Sequence, residues 1–145
     1  MSRARKPLTV RPRFEATVPK TAMVMAAGKG TRMRPLTATR PKPLIEVAGT
    51  TLLDHVLDHL RAAGVERIVV NVHYFADSLE AHLNSRVSDL EVLISDERNQ
   101  LLETGGGLMK AKALLRDDPF LCVNTDNIWI DGPVNGIKLL ASHWD

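Results

Sequence analysis

A loop rich in glycine and positive charge follows the first apolar stretch of the chain. It covers residues 25–35, with the sequence MAAGKGTRMRP. Gly28 and Gly30 allow the backbone to approach a ligand closely and to expose N–H groups, and the cations of the loop, with Lys42 further along, could neutralise several negative charges. These residue types predict a binding loop for a polyphosphate. The alternative is a tight turn with solvated charges.

Two well-known phosphate-binding motifs do not fit this loop. The P-loop motif G-x-x-x-x-G-K-[ST] needs a lysine directly after its second glycine, whereas Lys29 precedes Gly30. The dinucleotide-binding motif G-x-G-x-x-G needs a third glycine where this chain has Met33. The loop therefore belongs to neither class.

Two later segments carry groups that also suit ligand binding. The segment LLETGGGLMKA, residues 101–111, has three successive glycines at a predicted helix start, where free N–H groups can donate to a ligand. The segment VNTDN, residues 123–127, places Asp126 at the end of an apolar run, where a Mg²⁺ ligand would lie. The alternatives are a flexible linker for the glycines and a turn or capping role for the aspartate.

The hydrophobic pattern predicts the elements that position these segments. Short apolar runs predict buried strands over Thr21–Ala26, Arg67–Val72, Leu90–Ser95 and 120–126. Apolar residues at helical spacing predict helices over 51–64, ending at Gly64, over 74–85, with Phe75, Leu79 and Leu83 on one stripe, and over 108–115. The alternation predicts an α/β fold, a parallel sheet flanked by helices with right-handed crossovers. Ligands bind such sheets at the carboxyl ends of the strands, where the three segments would meet.

The two ends of the chain differ in character from the rest. Residues 1–20 carry six Lys or Arg and one acidic residue, and we expect a flexible basic extension; contact with nucleic acid or membrane phosphates is the alternative. Residues 21–145 form the predicted domain. The last stretch, residues 134–145, predicts the opening turns of a further helix, so we expect the fold to be incomplete.

Residues 26–44, AAGKGTRMRPLTATRPKPL, resemble the signature of the sugar-1-phosphate nucleotidyltransferases: an apolar strand, then A-A-G-x-G-T-R-[ML]-x-P-L-T and P-K-P-[LM]. The resemblance covers about residues 21–135, and the ETGGG version of the later segment is most similar to the members that act on N-acetylmuramate 1-phosphate with UTP. It implies the Rossmann-like fold of nucleotide-diphospho-sugar transferases, of which this chain would hold the N-terminal, nucleotide-binding part.

The resemblance also implies roles for individual residues. The implied catalytic residues are Arg32, Lys42 and Asp126, with Asp126 as the Mg²⁺ ligand. The implied nucleotide-binding residues are Ala27, Gly28, Gly30, Thr31, Arg32, Lys42, Gln100 and Gly105, and the implied sugar-binding residues are Glu103, Thr104, Gly106 and Asn124. One departure is Thr125, which stands where the family usually has glycine.

The activity implied is Mg²⁺-dependent transfer of a nucleotidyl group from a nucleoside triphosphate to a sugar 1-phosphate, with release of pyrophosphate. UTP and N-acetylmuramate 1-phosphate would give UDP-N-acetylmuramate, a reaction of peptidoglycan recycling. Guanylyl transfer to mannose 1-phosphate and nucleotidyl transfer to glucose 1-phosphate are the enzymatic alternatives. A regulatory module that binds nucleotide without catalysis is the alternative from another class.

Composition narrows the remaining possibilities. The 145 residues are 44% hydrophobic and 25% charged, as in an ordinary compact domain, and no apolar run approaches the roughly 20 residues of a membrane helix. We expect a cytoplasmic protein without membrane or nucleic-acid partners.

The single cysteine, Cys122, is predicted to be a buried strand residue. His55 and His59 share a helix face without a third metal ligand nearby, which favours a plain position at the helix surface or the core edge.

Overall fold

The computed structural model describes residues 17–116 and 119–144, so most of the predicted basic extension, residues 1–20, lies outside the described residues. The strands are β1 (Thr21–Met25), β2 (Glu46–Val47), β3 (Thr50–Thr51), β4 (Arg67–Val72), β5 (Glu91–Asp96) and β6 (Leu121–Asn124). The helices are α1 (Leu52–Ala63), α2 (Ala76–Arg86), α3 (Glu103–Leu115) and α4 (Gly136–Ala141). Short 3-10 turns cover Thr31–Met33 and Lys42–Leu44.

Four strands form one parallel sheet in the order β5-β4-β1-β6. Strand β1 lies between β4 and β6, pairing Val24 with Val70 on one side and with Val123 on the other. The predicted α/β fold with a parallel sheet is therefore confirmed. Strands β2 and β3 form a separate antiparallel hairpin that the sequence pattern did not indicate, because each has only two residues.

Helices cover both faces of the sheet. Ala22 and Val24 of β1 belong to a core shared with α1 and α2, whereas Met23 belongs to a second core shared with α3. All three side chains are fully buried. Burial on both faces explains why β1 reads as a continuous apolar run instead of an alternating one.

Helix α1 follows the predicted pattern closely. Leu53, Val56, Leu57 and Leu60 are fully buried along one side. The Thr51 hydroxyl accepts from the backbone N–H of Asp54, and Gly64 ends the helix at φ 94°, the left-handed conformation that glycine adopts easily. The helix is therefore defined by a capped start, an apolar side and a glycine stop.

The histidines of α1 contact protein groups. Nε2 of His55 lies 2.8 Å from the Val47 carbonyl oxygen, and Nδ1 of His59 lies 3.1 Å from a carboxylate oxygen of Asp131. The His59 ring also stacks on Trp129, with 4.2 Å between ring centroids. Both side chains are half-buried, as expected for the helix surface or the core edge. Among the described residues, no group of three or more His, Cys, Asp or Glu side chains lies together.

Three local predictions are wrong. Helix α2 begins at Ala76, and Phe75 precedes it in a left-handed turn at φ 50°, so its ring packs edge-on against Tyr74 instead of joining Leu79 and Leu83. Helix α3 begins at Glu103, before the three glycines and not after them. Cys122 is exposed, because β6 pairs with a single neighbour, β1, in the described sheet.

The described helices give no sign of a membrane span. In residues 17–116 and 119–144, none is both long enough and apolar enough to cross a bilayer.

Candidate functional site

A cavity of about 460 Å³ opens at the carboxyl ends of β1 and β6, beside the start of α3. Segments that are distant in sequence form its walls, as expected at this edge of a parallel sheet. The predicted site residues that line it are Ala27, Gly28, Arg32, Lys42, Glu103, Thr104, Asn124 and Asp126. The predicted residues that do not line it are Gly30, Thr31, Gln100, Gly105 and Gly106.

The two glycines of the first loop have different surroundings. Gly30 has φ 62°, and a Cβ placed there would lie 2.7 Å from Cγ2 of Thr37. The buried Thr37 hydroxyl donates to the Gly30 carbonyl oxygen at 2.6 Å, which closes the loop. A Cβ on Gly28, by contrast, would meet nothing within 4 Å. Gly30 therefore shapes the loop, whereas Gly28 leaves open space at the cavity wall.

An ion pair joins two residues that line the cavity. Nζ of Lys42 donates to Oδ2 of Asp126 at 2.6 Å, across 84 residues of sequence. The hydrogen bond and the charge of Lys42 lower the pKa of Asp126, and the charge of Arg32 adds to the effect. Asp126 is therefore held as a carboxylate beside two cations.

Thr125 connects the ends of two neighbouring strands. Its side chain is buried, and its hydroxyl donates to the Met25 carbonyl oxygen at 2.9 Å. The bond ties the end of β6 to the end of β1. At the position where the related motif has glycine, this chain therefore has a threonine whose hydroxyl already donates a hydrogen bond to the protein backbone.

Sequence reasoning missed two buried polar residues, Asn71 in the cavity lining and its hydrogen-bond partner Glu97. Asn71 lines the cavity although it is only 2% exposed, and it bonds Glu97, which is 1% exposed. A usable signal existed for Asn71, because it interrupts the apolar strand RIVVNV with a polar side chain. Glu97 gave no such signal, since it lies in a polar stretch that reads as an exposed loop.

The second half of the site comes from the start of α3. Leu101, Glu103 and Thr104 line the same cavity as Ala27 and Gly28 of the glycine loop. Glu103 has φ 58°, a left-handed conformation that costs a non-glycine residue about 1–2 kcal/mol and that must be held by its surroundings. The backbone at the start of α3, which forms this wall of the cavity, is therefore held in a constrained conformation at Glu103.

A divalent cation would find few protein ligands here. Asp126 and Glu103 are the acidic residues that line the cavity in the described part of the chain. Mg²⁺ commonly takes one or two carboxylates and completes its shell with waters and substrate phosphates. The side chains therefore suit Mg²⁺ that arrives with a phosphate ligand, with Asp126 as the carboxylate beside Lys42 and Arg32.

Comparison with known proteins gives consistent matches. A sequence profile of the family described as nucleotidyl transferase matches residues 21–143. The chain is 56% identical over 130 residues to an N-acetylmuramate alpha-1-phosphate uridylyltransferase of Caulobacter vibrioides, covering 88% of this chain and 54% of that protein. It is 43% identical over 106 residues to the protein of the same name from Neisseria meningitidis serogroup B, covering 72% of this chain and 46% of that protein.

The fold has a match among solved structures. The UDP-glucose pyrophosphorylase complexed with UDP-glucose superimposes with a TM-score of 0.74 at 22% identity, covering 85% of this chain and 52% of that one. At this identity the likeness concerns the fold alone. The chain spans about half the length of the curated relatives it matches.

The two loop glycines are expected to respond differently to alanine. Gly30→Ala should lower the free energy of unfolding by about 2 kcal/mol, because alanine resists the left-handed conformation and its Cβ would overlap Thr37. Gly28→Ala, the matched control, should leave that free energy almost unchanged. Urea unfolding followed by circular dichroism measures both, and equal losses would contradict this division of roles.

Removal of the Lys42 charge should raise the pKa of Asp126 towards its ordinary value. Lys42→Met keeps most of the side-chain volume but removes the donor and the charge that lower this pKa. The measurement is a carbon-13 NMR titration of the Asp126 carboxyl group, with Lys42→Arg as the control that keeps the charge. Because the pKa is lowered in the folded state, the stabilisation by this pair is present at neutral pH and is lost as the pH falls through the lowered pKa. An unchanged pKa in Lys42→Met would contradict the assigned cause.

Proposed function

This chain belongs to the nucleotidyl transferase family, and we propose that its cavity binds a nucleoside triphosphate for transfer of the nucleotidyl group to a sugar 1-phosphate. The observation that carries the proposal is the convergence of Arg32, Lys42 and Asp126 on one cavity beside the open backbone at Gly28. Cations, exposed backbone and a carboxylate are the groups that a metal-bound polyphosphate needs. The activity named for the curated relatives belongs to proteins of which this chain spans about half the length.

We propose UTP and N-acetylmuramate 1-phosphate as the substrates, and UDP-N-acetylmuramate and pyrophosphate as the products. Support comes from the 56% identity to a relative that carries this activity in its name. The reaction would supply a nucleotide sugar for peptidoglycan recycling, in the cytoplasm.

The chemistry proposed is an in-line displacement at the α-phosphorus. An oxygen of the sugar phosphate forms the new P–O bond while the bond to the β-phosphate oxygen breaks, and the electron pair leaves with pyrophosphate. Both reactants are anions, so the protein accelerates the reaction mainly by positioning them and by offsetting their repulsion. Lys42 and Arg32 would supply the offsetting charges at the reacting phosphates, and the backbone at Gly28 would contact the triphosphate.

The ion pair between Lys42 and Asp126 is compatible with this role. Nζ of Lys42 lies 2.6 Å from Oδ2 of Asp126, so each group is the hydrogen-bond partner of the other. A triphosphate would offer the Lys42 ammonium stronger acceptors, which would leave Asp126 available to hold Mg²⁺. When bound, Mg²⁺ would neutralise part of the phosphate charge.

The sugar phosphate would contact the start of α3 and the end of β6. Glu103 and Thr104 at the start of α3, and Asn124 at the end of β6, lie on the cavity and offer groups that can bond sugar hydroxyls. For Gly30 the described contacts support a role in shaping the loop. Ligand contacts by Thr31, Gln100, Gly105 and Gly106 stay predictions.

Loss of Lys42 should weaken nucleotide binding specifically. We expect Lys42→Ala to raise the Kd for UTP, measured by titration calorimetry with Mg²⁺ present, about tenfold or more, because a charge-assisted bond is lost. Asp126→Asn should reduce the strengthening of UTP binding by Mg²⁺. The matched control is Lys29→Ala, which removes an equal charge from the same loop outside the cavity lining. Equal losses for Lys42→Ala and Lys29→Ala would indicate general attraction and contradict the proposed site.

A substrate panel tests the reaction. Pyrophosphate release should be fastest with UTP and N-acetylmuramate 1-phosphate, and slower with GTP and mannose 1-phosphate or with UTP and glucose 1-phosphate. The 145-residue chain should turn over far more slowly than a relative of full length, because half of the relatives' length is not part of it. Nucleotide binding without any product, in a chain extended to the relatives' length, would instead support a regulatory module.

A further inference from the structure

We infer that Asn71 and Glu97 act as a positioning pair that holds the two backbone walls of the cavity at a fixed separation, and that this pair requires the third glycine of the ETGGG stretch. The inference rests on the proposed function, because the walls in question are those that would hold the nucleotide. Neither residue is among Gly28, Arg32 and Lys42, which are proposed to contact the phosphates. Asn71 and Glu97 would act indirectly, through hydrogen bonds to backbone N–H groups of the cavity walls.

Glu97 connects to the wall formed by the start of α3. Its side chain is 1% exposed, and Oε2 accepts from the backbone N–H of Leu102 at 3.1 Å. Leu102 directly precedes Glu103, the residue with left-handed backbone. The bond therefore fixes the backbone at the point where the chain turns into α3.

Asn71 connects to the other wall. Its Oδ1 accepts from the backbone N–H of Ala26 at 2.7 Å, and its Nδ2 donates to Oε1 of Glu97 at 2.9 Å. Ala26 directly follows β1 and leads into the glycine loop. The orientation of the amide follows from its partners, because a backbone N–H can only donate and the Glu97 oxygen accepts. One continuous series of hydrogen bonds therefore runs from the glycine loop to the start of α3.

The backbone of Glu97 is fixed as well. Its N–H donates to the Val72 carbonyl oxygen at 2.8 Å, and its carbonyl oxygen accepts from the backbone N–H of Gln100 at 3.1 Å. Among the described residues Glu97 makes no ion pair, so its carboxyl oxygens depend on Asn71 and Leu102. A buried polar group of this kind is costly when a partner is lost, which makes the series sensitive to small changes.

The same pair explains one glycine of α3. A Cβ on Gly107 would lie 2.8 Å from Oε1 of Glu97 and 3.1 Å from Nδ2 of Asn71. A Cβ on Gly105 would meet nothing within 4 Å. Glycine is therefore required at position 107 because Asn71 and Glu97 fill the space beside it, whereas no neighbouring atom requires glycine at position 105.

The test exchanges the amide of Asn71 and the carboxylate of Glu97 between the two positions. Glu97→Gln alone places an amide N–H against a donor, at either Asn71 or Leu102, and Asn71→Asp alone places two carboxylates together. In the double variant Asn71→Asp/Glu97→Gln, the carboxylate at position 71 accepts from Ala26 and from the amide at position 97, whose oxygen accepts from Leu102. The double variant therefore restores the series with its groups reversed.

Two readouts are measured on the 145-residue chain, at a temperature where circular dichroism shows each variant folded. The first is amide hydrogen exchange at Ala26 and Leu102, followed by NMR, which needs no ligand. Glu97→Gln should speed exchange at Ala26 about tenfold, although the Ala26 N–H donates to Asn71 and not to Glu97, and the double variant should return it to within about threefold of the starting chain. The second is the Kd for UTP, which should rise about tenfold in each single variant and recover in the double one.

Each outcome has a definite meaning. Unchanged exchange at Ala26 in Glu97→Gln, or a double variant no better than the single ones, overturns the inference. Lower melting temperatures with an unchanged Kd for UTP assign the pair to stability alone and also overturn it. Failure of the starting chain to bind UTP contradicts the proposed function, while the exchange measurement still decides the inference. If a single variant does not fold, folding of the double variant supports the reciprocal bonds and its failure overturns them.

The control for an altered charge is Asn84→Asp. Asn84 is exposed on α2, away from the cavity lining, so this change should leave both readouts unaffected. An effect of equal size there would show that the added charge, and not the loss of the bonds, causes the change.

Discussion

The position of β1 between two parallel neighbours is the constraint on which the site depends. Backbone pairing with β4 and β6 brings the ends of three strands to one edge of the sheet. Without that pairing, Lys42 and Asp126 would be separated by 84 residues of chain and would have no reason to meet. The site is thus a product of topology, and its charged groups use a geometry that the apolar core has already established.

Much of the fold could be predicted from the sequence because its signals are local and strong. The run RIVVNV and the stripe of α1 are decided by burial, which leaves a direct trace in the apolar pattern. Two of the errors fall where local backbone surroundings decide the outcome. Phe75 turns the chain with a left-handed φ, and α3 contains Gly106 and Gly107 where Leu102 and Glu97 occupy the space that a Cβ would need. Helix propensity alone argues against glycines inside α3.

For the candidate site, the sequence predicted the residue types better than the surroundings of each residue. The motif identified Lys42 and Asp126 by residue type, and the structure brings them into contact. It did not separate Gly28 from Gly30, because the difference between open space and a contact with Thr37 exists only after folding. Glu97 was missed for a similar reason, since a carboxylate in the stretch DERNQ reads as solvated until the fold buries it, whereas Asn71 left a signal as the polar residue inside an apolar strand.

The exposed cysteine on β6 has a practical consequence. Cys122 is the single cysteine of the chain, it lies two positions before Asn124 at the cavity wall, and partial burial raises the pKa of its thiol. A raised pKa leaves little thiolate at neutral pH, so attachment of a maleimide fluorophore would be slow and would proceed faster in mildly alkaline buffer. The unaltered chain therefore carries its own attachment point for a dye that reports events at the end of β6.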